Sequence, residues 1–157
     1  MENNKKLTLA EARKINNSYS KVKKIDVMNG EYHLNIRSRI SYEDIEKIID
    51  EAGKFIQDKE VIEEIGDAPM IKYLTCFTIK NQTDLFDNLE GIKDNMDLLE
   101  VFRILLNTGV INDCLNNIKR EDLQTLYDRF NEIMKVAKQI GEAQKIAGDI
   151  TGSNENK

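Results

Sequence analysis

Between Arg120 and Ile150 runs the longest periodic segment of the chain. Leu123, Leu126, Tyr127, Phe130, Ile133, Met134, Ala137 and Ile140 recur at steps of three and four, which places them on one side of a helix. Charge follows the helix dipole. Glu121, Asp122, Asp128 and Glu132 stand toward the start; Lys135, Lys138 and Lys145 stand toward the end. Ile118 and Leu123 have the spacing of a hydrophobic staple around Lys119, itself a poor capping residue. Gly141, Gly148 and Gly152 each cost about 1 kcal/mol against Ala in a helix, so fraying is expected beyond Gly141. Most of the stripe reads as core. Its distal part, with Met134, Ile140, Ile146 and Ile150, is the candidate surface for docking a partner helix.

The rest of the chain supplies partners for that stripe. Thr8 and Glu11 have capping-box spacing, predicting a short helix from Leu9 to about Asn17 with little apolar surface. Over Lys23–Ser38, Ile25 and Val27, then Tyr32, Leu34 and Ile36, alternate with polar residues around Asn29-Gly30. Two such runs predict a hairpin, because a type I′ turn needs two positive φ angles. Ser41 and Asp44 form a second capping box, with Ile40 and Ile45 as its staple. The helix they open carries the stripe Ile45, Ile48, Ile49, Ala52, Phe55 and Ile56. Asp58–Asp67 is strongly acidic and reads as a short helix or a mobile connector.

Asp67 is the expected cap of the next helix, with Pro69 in its first turn. Met70, Ile71, Tyr73, Leu74, Phe77 and Thr78 leave that segment apolar on most sides, hence central; a strand over Leu74–Ile79 is the second reading. Lys80-Asn81-Gln82 is expected to break it. Thr83 then opens a short amphipathic stretch with Leu85, Phe86 and Leu89, ended by Gly91. Asn95 or Asp97 is expected to cap the helix of Leu98, Leu99, Phe102, Leu105 and Leu106, with Gly109 just past its end. Val110–Asn117 adds two turns before the long helix.

These elements define an α+β, mainly α fold: an N-terminal β-hairpin packed against a bundle of about five helices. The expected organisation is a basic N-terminal arm with a short helix over 1–20, one helical domain with the hairpin over 21–148, and a flexible tail over 149–157. A chain of 157 residues can bury a real core, and 40% hydrophobic with 32% charged residues is globular. The net charge of −5 removes non-specific nucleic-acid binding as the default. The bases Lys5, Lys6, Arg13, Lys14, Lys21, Lys23 and Lys24 crowd the arm and the residues just after it. The arm reads as a solvated terminus, or else as a binder of an acidic partner or nucleic acid. Cys76 and Cys114 lie far apart in apolar contexts. With no apolar core in the leading MENNKK and no run long enough for a membrane span, they imply buried thiols in a cytosolic protein.

The chain carries no recognisable catalytic constellation. His33, the one histidine, falls on the polar face of the hairpin with no second ligand nearby. Asp50 and Glu51 are adjacent on a helix, so their side chains diverge and read as a solvated face. No glycine-rich phosphate loop, H-E-x-x-H, Cys–His cluster or G-x-S-x-G occurs. We expect no enzyme, no cofactor and no metal.

The order of parts is distinctive: KKIDVMNGEYHLNIRS, a helix begun by Ser41, MIKYLTCFTIKNQTDL, then LLEVFRILLNTGVINDCLNNIKREDLQTLYDRFNEIMK. Over about residues 22–140 this resembles the tail assembly chaperones of long-tailed phages and prophages of low-GC Gram-positive bacteria. The acidic Asp58–Asp67 segment and the N-terminal arm lie outside the likeness. The resemblance implies a transient chaperone in the cytoplasm of the bacterial host that coats the tape measure protein and recruits tail tube protein subunits, working as a homo-oligomer. It also implies that some such chains exist in a longer, frameshifted form. The alternative is a phage- or mobile-element-encoded regulator that inhibits a host protein through an acidic helical surface. A small enzyme is the third class.

Overall fold

A computed structural model describes residues 4–87 and 90–152. The chain divides into two compact units, Met1–Leu123 and Gln124–Lys157. The fold is α+β and mainly helical, with one two-stranded antiparallel sheet and, among the described residues, seven helices.

The first unit opens with α1 (Leu9–Ser18), whose Thr8–Glu11 capping box is complete in both directions. The hairpin follows as β1 (Val22–Val27) and β2 (Tyr32–Arg37), in register from Val22↔Arg37 to Val27↔Tyr32. Its turn is the expected one. Asn29 and Gly30 have φ of 59° and 83°, and the Glu31 N–H donates to the Met28 carbonyl. Met28 is also left-handed, at φ 53°, a conformation that costs a side-chain-bearing residue about 1–2 kcal/mol. Its N–H donates to the Asp113 carboxylate at 2.9 Å, which holds the turn in place. Ile25, Val27 and Ile36 are buried, whereas His33 is exposed. The outer edge of β2 is covered by residues 83 and 84. Ile36 bridges to Thr83, and Asp84 both donates to the Asn35 carbonyl and accepts from the Asn35 backbone and side chain. These contacts cover the edge of β2 at Asn35 and Ile36.

Five helices follow in this unit: α2 (Tyr42–Gln57), α3 (Lys59–Ile65), α4 (Met70–Gln82), α5 (Asn95–Thr108) and α6 (Val110–Leu115). The Ser41–Asp44 box caps α2, and Ile40 and Ile45 are both buried. The acidic segment resolves as a helix: Asp58 caps α3, Val61 and Ile65 are buried, and Gly66 ends it at φ 54°. Three local expectations are corrected. Asp67 does not cap α4; Pro69 stands at the N-cap without a side-chain bond. Lys80-Asn81-Gln82 do not break α4, because each finds a tertiary partner. Lys80 and Asn81 both reach Glu51 on α2. The NH2 of buried Gln82 donates to the carbonyls of Arg37 and Arg39, each at 3.1 Å. The amphipathic stretch Thr83–Gly91 is turn in its described part, and Leu89 lies outside the described residues. The cap of α5 is Asp94, whose carboxylate accepts from Met96 and Asp97. Gly109 closes α5 left-handed at φ 79°, as expected.

The centre of this unit is an aromatic cluster. Phe102 is fully buried, with ring centroids 4.9 Å from Phe77, 5.7 Å from Phe55 and 6.0 Å from Phe86. The pairs with Phe77 and Phe86 are edge-on and that with Phe55 is tilted; aromatic pairs of this kind add about 0.5–1.5 kcal/mol each to the area they bury.

The long helix α7 (Arg120–Gly152) begins in the first unit and makes up the described part of the second. Its start is pinned within the first unit: the Lys119 N–H donates to the Ser38 carbonyl at 2.8 Å, and Asp122 pairs with Arg39. The expected fraying past Gly141 does not occur. The good helix formers Glu142, Ala143, Gln144, Lys145 and Ala147 separate Gly141 from Gly148, so each glycine's penalty is met singly. The expected flexible end over Ser153–Lys157 lies outside the described residues.

Candidate partner-binding surface

Along α7 burial stops while the apolar pattern continues. Leu126 and Phe130 are buried and Ile133 is half-buried. Beyond them Val136 and Ile140 are each 53% exposed, Met134 is 37% exposed and Ile146 is 61% exposed. A helix turns by about 100° per residue, so Ile133, Val136, Ala137 and Ile140 share one face, in line with Leu126. The covered and bare parts are therefore one stripe, of which the second half has no cover.

The four residues singled out from the sequence are not brought together. Met134, Ile140 and Ile146 are spaced by six, and residues six apart on a continuous helix point about 120° apart. They surround α7 instead of forming a patch. The side chain of Ile150 lies outside the described residues. The face that does form is centred on Val136 and Ile140. Val136 belongs to this face although the sequence stripe runs through Met134; the signal for it is that Ile133, Val136 and Ile140 also step by three and four.

Beside this face is a shallow depression of about 620 Å³ lined by Arg129, Glu132, Ile133, Lys135, Val136 and Gln139. All six come from α7, so it is open ground on one helix and not a cleft. Arg129 and Glu132 pair across one turn at 3.8 Å. An apolar centre with charges of both signs on its margin is the arrangement that holds an amphipathic helix.

Chemistry-bearing groups elsewhere are occupied structurally. Glu51 is no solvated carboxylate: it ties α2 to Lys80 of α4 at 3.2 Å, while Asp50 pairs with Lys54. Burial pushes the Cys76 thiol up to about 12 and the Cys114 thiol up to about 11, so both stay protonated at neutral pH and are poor nucleophiles. Among the described residues no group of three or more His, Cys, Asp or Glu is placed to hold a metal ion. No described helix is long and apolar enough to cross a membrane.

Comparison with known proteins places these features in a family. No curated protein and no solved structure matches the chain significantly. The YomO family model, which bears the name of a phage-derived protein, matches residues 9–157, nearly the whole sequence including α7. The chain belongs to the YomO family.

Proposed function

We propose that this chain is a non-enzymatic phage tail assembly chaperone that coats the tape measure protein and recruits tail tube subunits in the bacterial cytoplasm. One observation carries the reading: the stripe of α7 is covered at Leu126 and Phe130 and bare at Val136 and Ile140. A tape measure protein is a long helical rod, and such a rod aggregates through its own apolar stripe unless another helix covers it. Fully burying a Val or Ile yields about 1.5–3 kcal/mol, so completing the half-made burial of Val136 and Ile140 supplies roughly 1 kcal/mol each. Contacts of that size suit reversible coating by several copies. Membership of a family with a phage-derived name agrees with this setting. The alternative regulator draws less support, since Asp44, Asp50, Glu51 and Glu64 of the acidic surface are already paired with Arg37, Lys54, Lys80 and Arg103.

The test is co-expression with the tape measure protein of the same phage. The wild-type chain raises the soluble yield of that protein, and the Val136→Asp/Ile140→Asp variant, folded by circular dichroism, does not. An unchanged yield with the wild-type chain refutes the proposal.

A further inference from the structure

Two features stay unused by that reading: the basic arm and the acidic helix α3. No residue of α1 is buried. Leu7, Leu9 and Ile15 are 66%, 68% and 52% exposed. Leu9, Ala12 and Ile15 share a face of the helix. The segment before α1 runs beside it, so Lys5, Leu7, Glu11, Lys14 and Ile15 line a concave surface of about 300 Å³. Residues 4–24 hold seven Lys or Arg against the single Glu11. None of the seven forms an ion pair among the described residues.

On α3 the signs reverse. Residues 58–67 carry five acids against Lys59. Asp58 is engaged by Asn95, and Glu64 by Arg103. Glu60, Glu63 and Asp67 are exposed and form no ion pair among the described residues. Val61 and Ile65 face inward, but Ile62 is 45% exposed in the midst of these carboxylates. One surface is an apolar hollow edged by Lys5 and Lys14, with the Glu11 carboxylate taken up by Thr8, and the other is an isoleucine edged by glutamates.

We propose that the N-terminal arm of one copy docks on α3 of a second copy. Ile62 fills the hollow between Leu7 and Ile15, and Glu60 and Glu63 face Lys5 and Lys14. The two surfaces differ and lie on the same chain, so each copy offers both, and a contact not returned within a closed pair is head-to-tail and repeats from copy to copy. It gives a row of molecules of a kind that lines a rod, yet it depends on nothing in the chaperone reading.

Two charge reversals on exposed positions test it: Lys5→Glu/Lys14→Glu on the arm, and Glu60→Lys/Glu63→Lys on α3. Sedimentation velocity of the wild-type chain shows concentration-dependent association. It weakens between about 0.1 and 1 M salt, as the screening length falls from about 10 Å to about 3 Å. Each variant alone loses about tenfold or more in association constant, as expected for exposed pairs turned from attraction to repulsion. Mixed, the two variants associate again, because the intact arm of one meets the intact α3 of the other. Growth of the wild-type species past the dimer with rising concentration is expected of the repeating contact, and a species that stops at the dimer overturns the head-to-tail arrangement. A wild-type chain that is monomeric at every concentration, variants that associate like wild type, or a mixture without rescue overturns the proposal. So does an arm held only by DNA or by phosphatidylglycerol vesicles while the chain stays monomeric.

Discussion

Asp122 lies in the first turn of α7, and its replacement by Ala is the sharpest test of how that helix is anchored. Its side chain is 10% exposed, and it accepts three hydrogen bonds: from Arg39 Nε at 2.7 Å, from Arg39 Nη2 at 3.2 Å and from the Ile40 N–H at 2.9 Å. Arg39 is not free to follow the loss into water. It also donates to the Tyr19 hydroxyl at 2.8 Å, and its guanidinium lies 4.4 Å over the Tyr19 ring. In Asp122→Ala the Ile40 N–H, on a residue only 2% exposed, is left without its acceptor, which costs about 1–3 kcal/mol. The lost ion pair falls between two limits. Exposed pairs contribute about 0.2–1 kcal/mol, and breaking a buried one costs about 3–5 kcal/mol. With Arg39 22% exposed, we take about 1 kcal/mol. The total is about 3 kcal/mol, or a fall in Tm of about 6–12 °C for a chain of this size. Asp122→Asn keeps an acceptor for Ile40 and loses the charge, so it costs about 1–2 kcal/mol. Urea denaturation and thermal melts followed by circular dichroism measure both. A loss below about 1 kcal/mol in Asp122→Ala means an ordinary surface pair. Equal losses in the two variants refute the division between backbone bond and charge.

The stripe of α7 predicts a split response: Leu126→Ala costs about 2–5 kcal/mol, and Ile140→Ala less than about 0.5 kcal/mol in the isolated chain, read as shifts in urea midpoint. Asp113→Ala removes the acceptor of the left-handed Met28 and costs about 1–2 kcal/mol; Met28→Gly on that background restores part of it, since glycine takes positive φ without strain. Cys76 and Cys114 have folded pKa values raised above the ordinary 9.0 by burial. Their contribution to stability is therefore complete below pH 9 and is lost as pH rises through about 11 for Cys114 and about 12 for Cys76. In the folded chain at pH 8 both resist a disulfide reagent and react on unfolding; fast modification of the native protein contradicts their burial.

Local signals along the chain were legible wherever the deciding atoms were near in sequence. The Thr8–Glu11 and Ser41–Asp44 capping boxes, the Asn29-Gly30 turn and the left-handed Gly109 each rest on contacts within a few residues, and all are present. The misreadings share a different origin. Lys80-Asn81-Gln82 breaks a helix on local chemistry, yet Glu51 and the carbonyls of Arg37 and Arg39 carry α4 through it. On the long helix the apolar period was plain, but whether a given turn is covered depends on what packs there. The amphipathic pattern of α7 does not change where burial ends after Phe130.

By itself the sequence determined the fold class, most of the helix and strand boundaries, and the existence of one long apolar stripe, because period, caps and turn residues act over a single turn or hairpin. Tertiary structure decided which half of that stripe stays bare, that Asp122 is a buried anchor and not one more acidic residue near a helix start, and that Glu51 bridges two helices. Those outcomes depend on groups distant in sequence, such as Arg39 for Asp122 and Lys80 for Glu51. A residue's own neighbours in the chain carry no record of what will be folded against it.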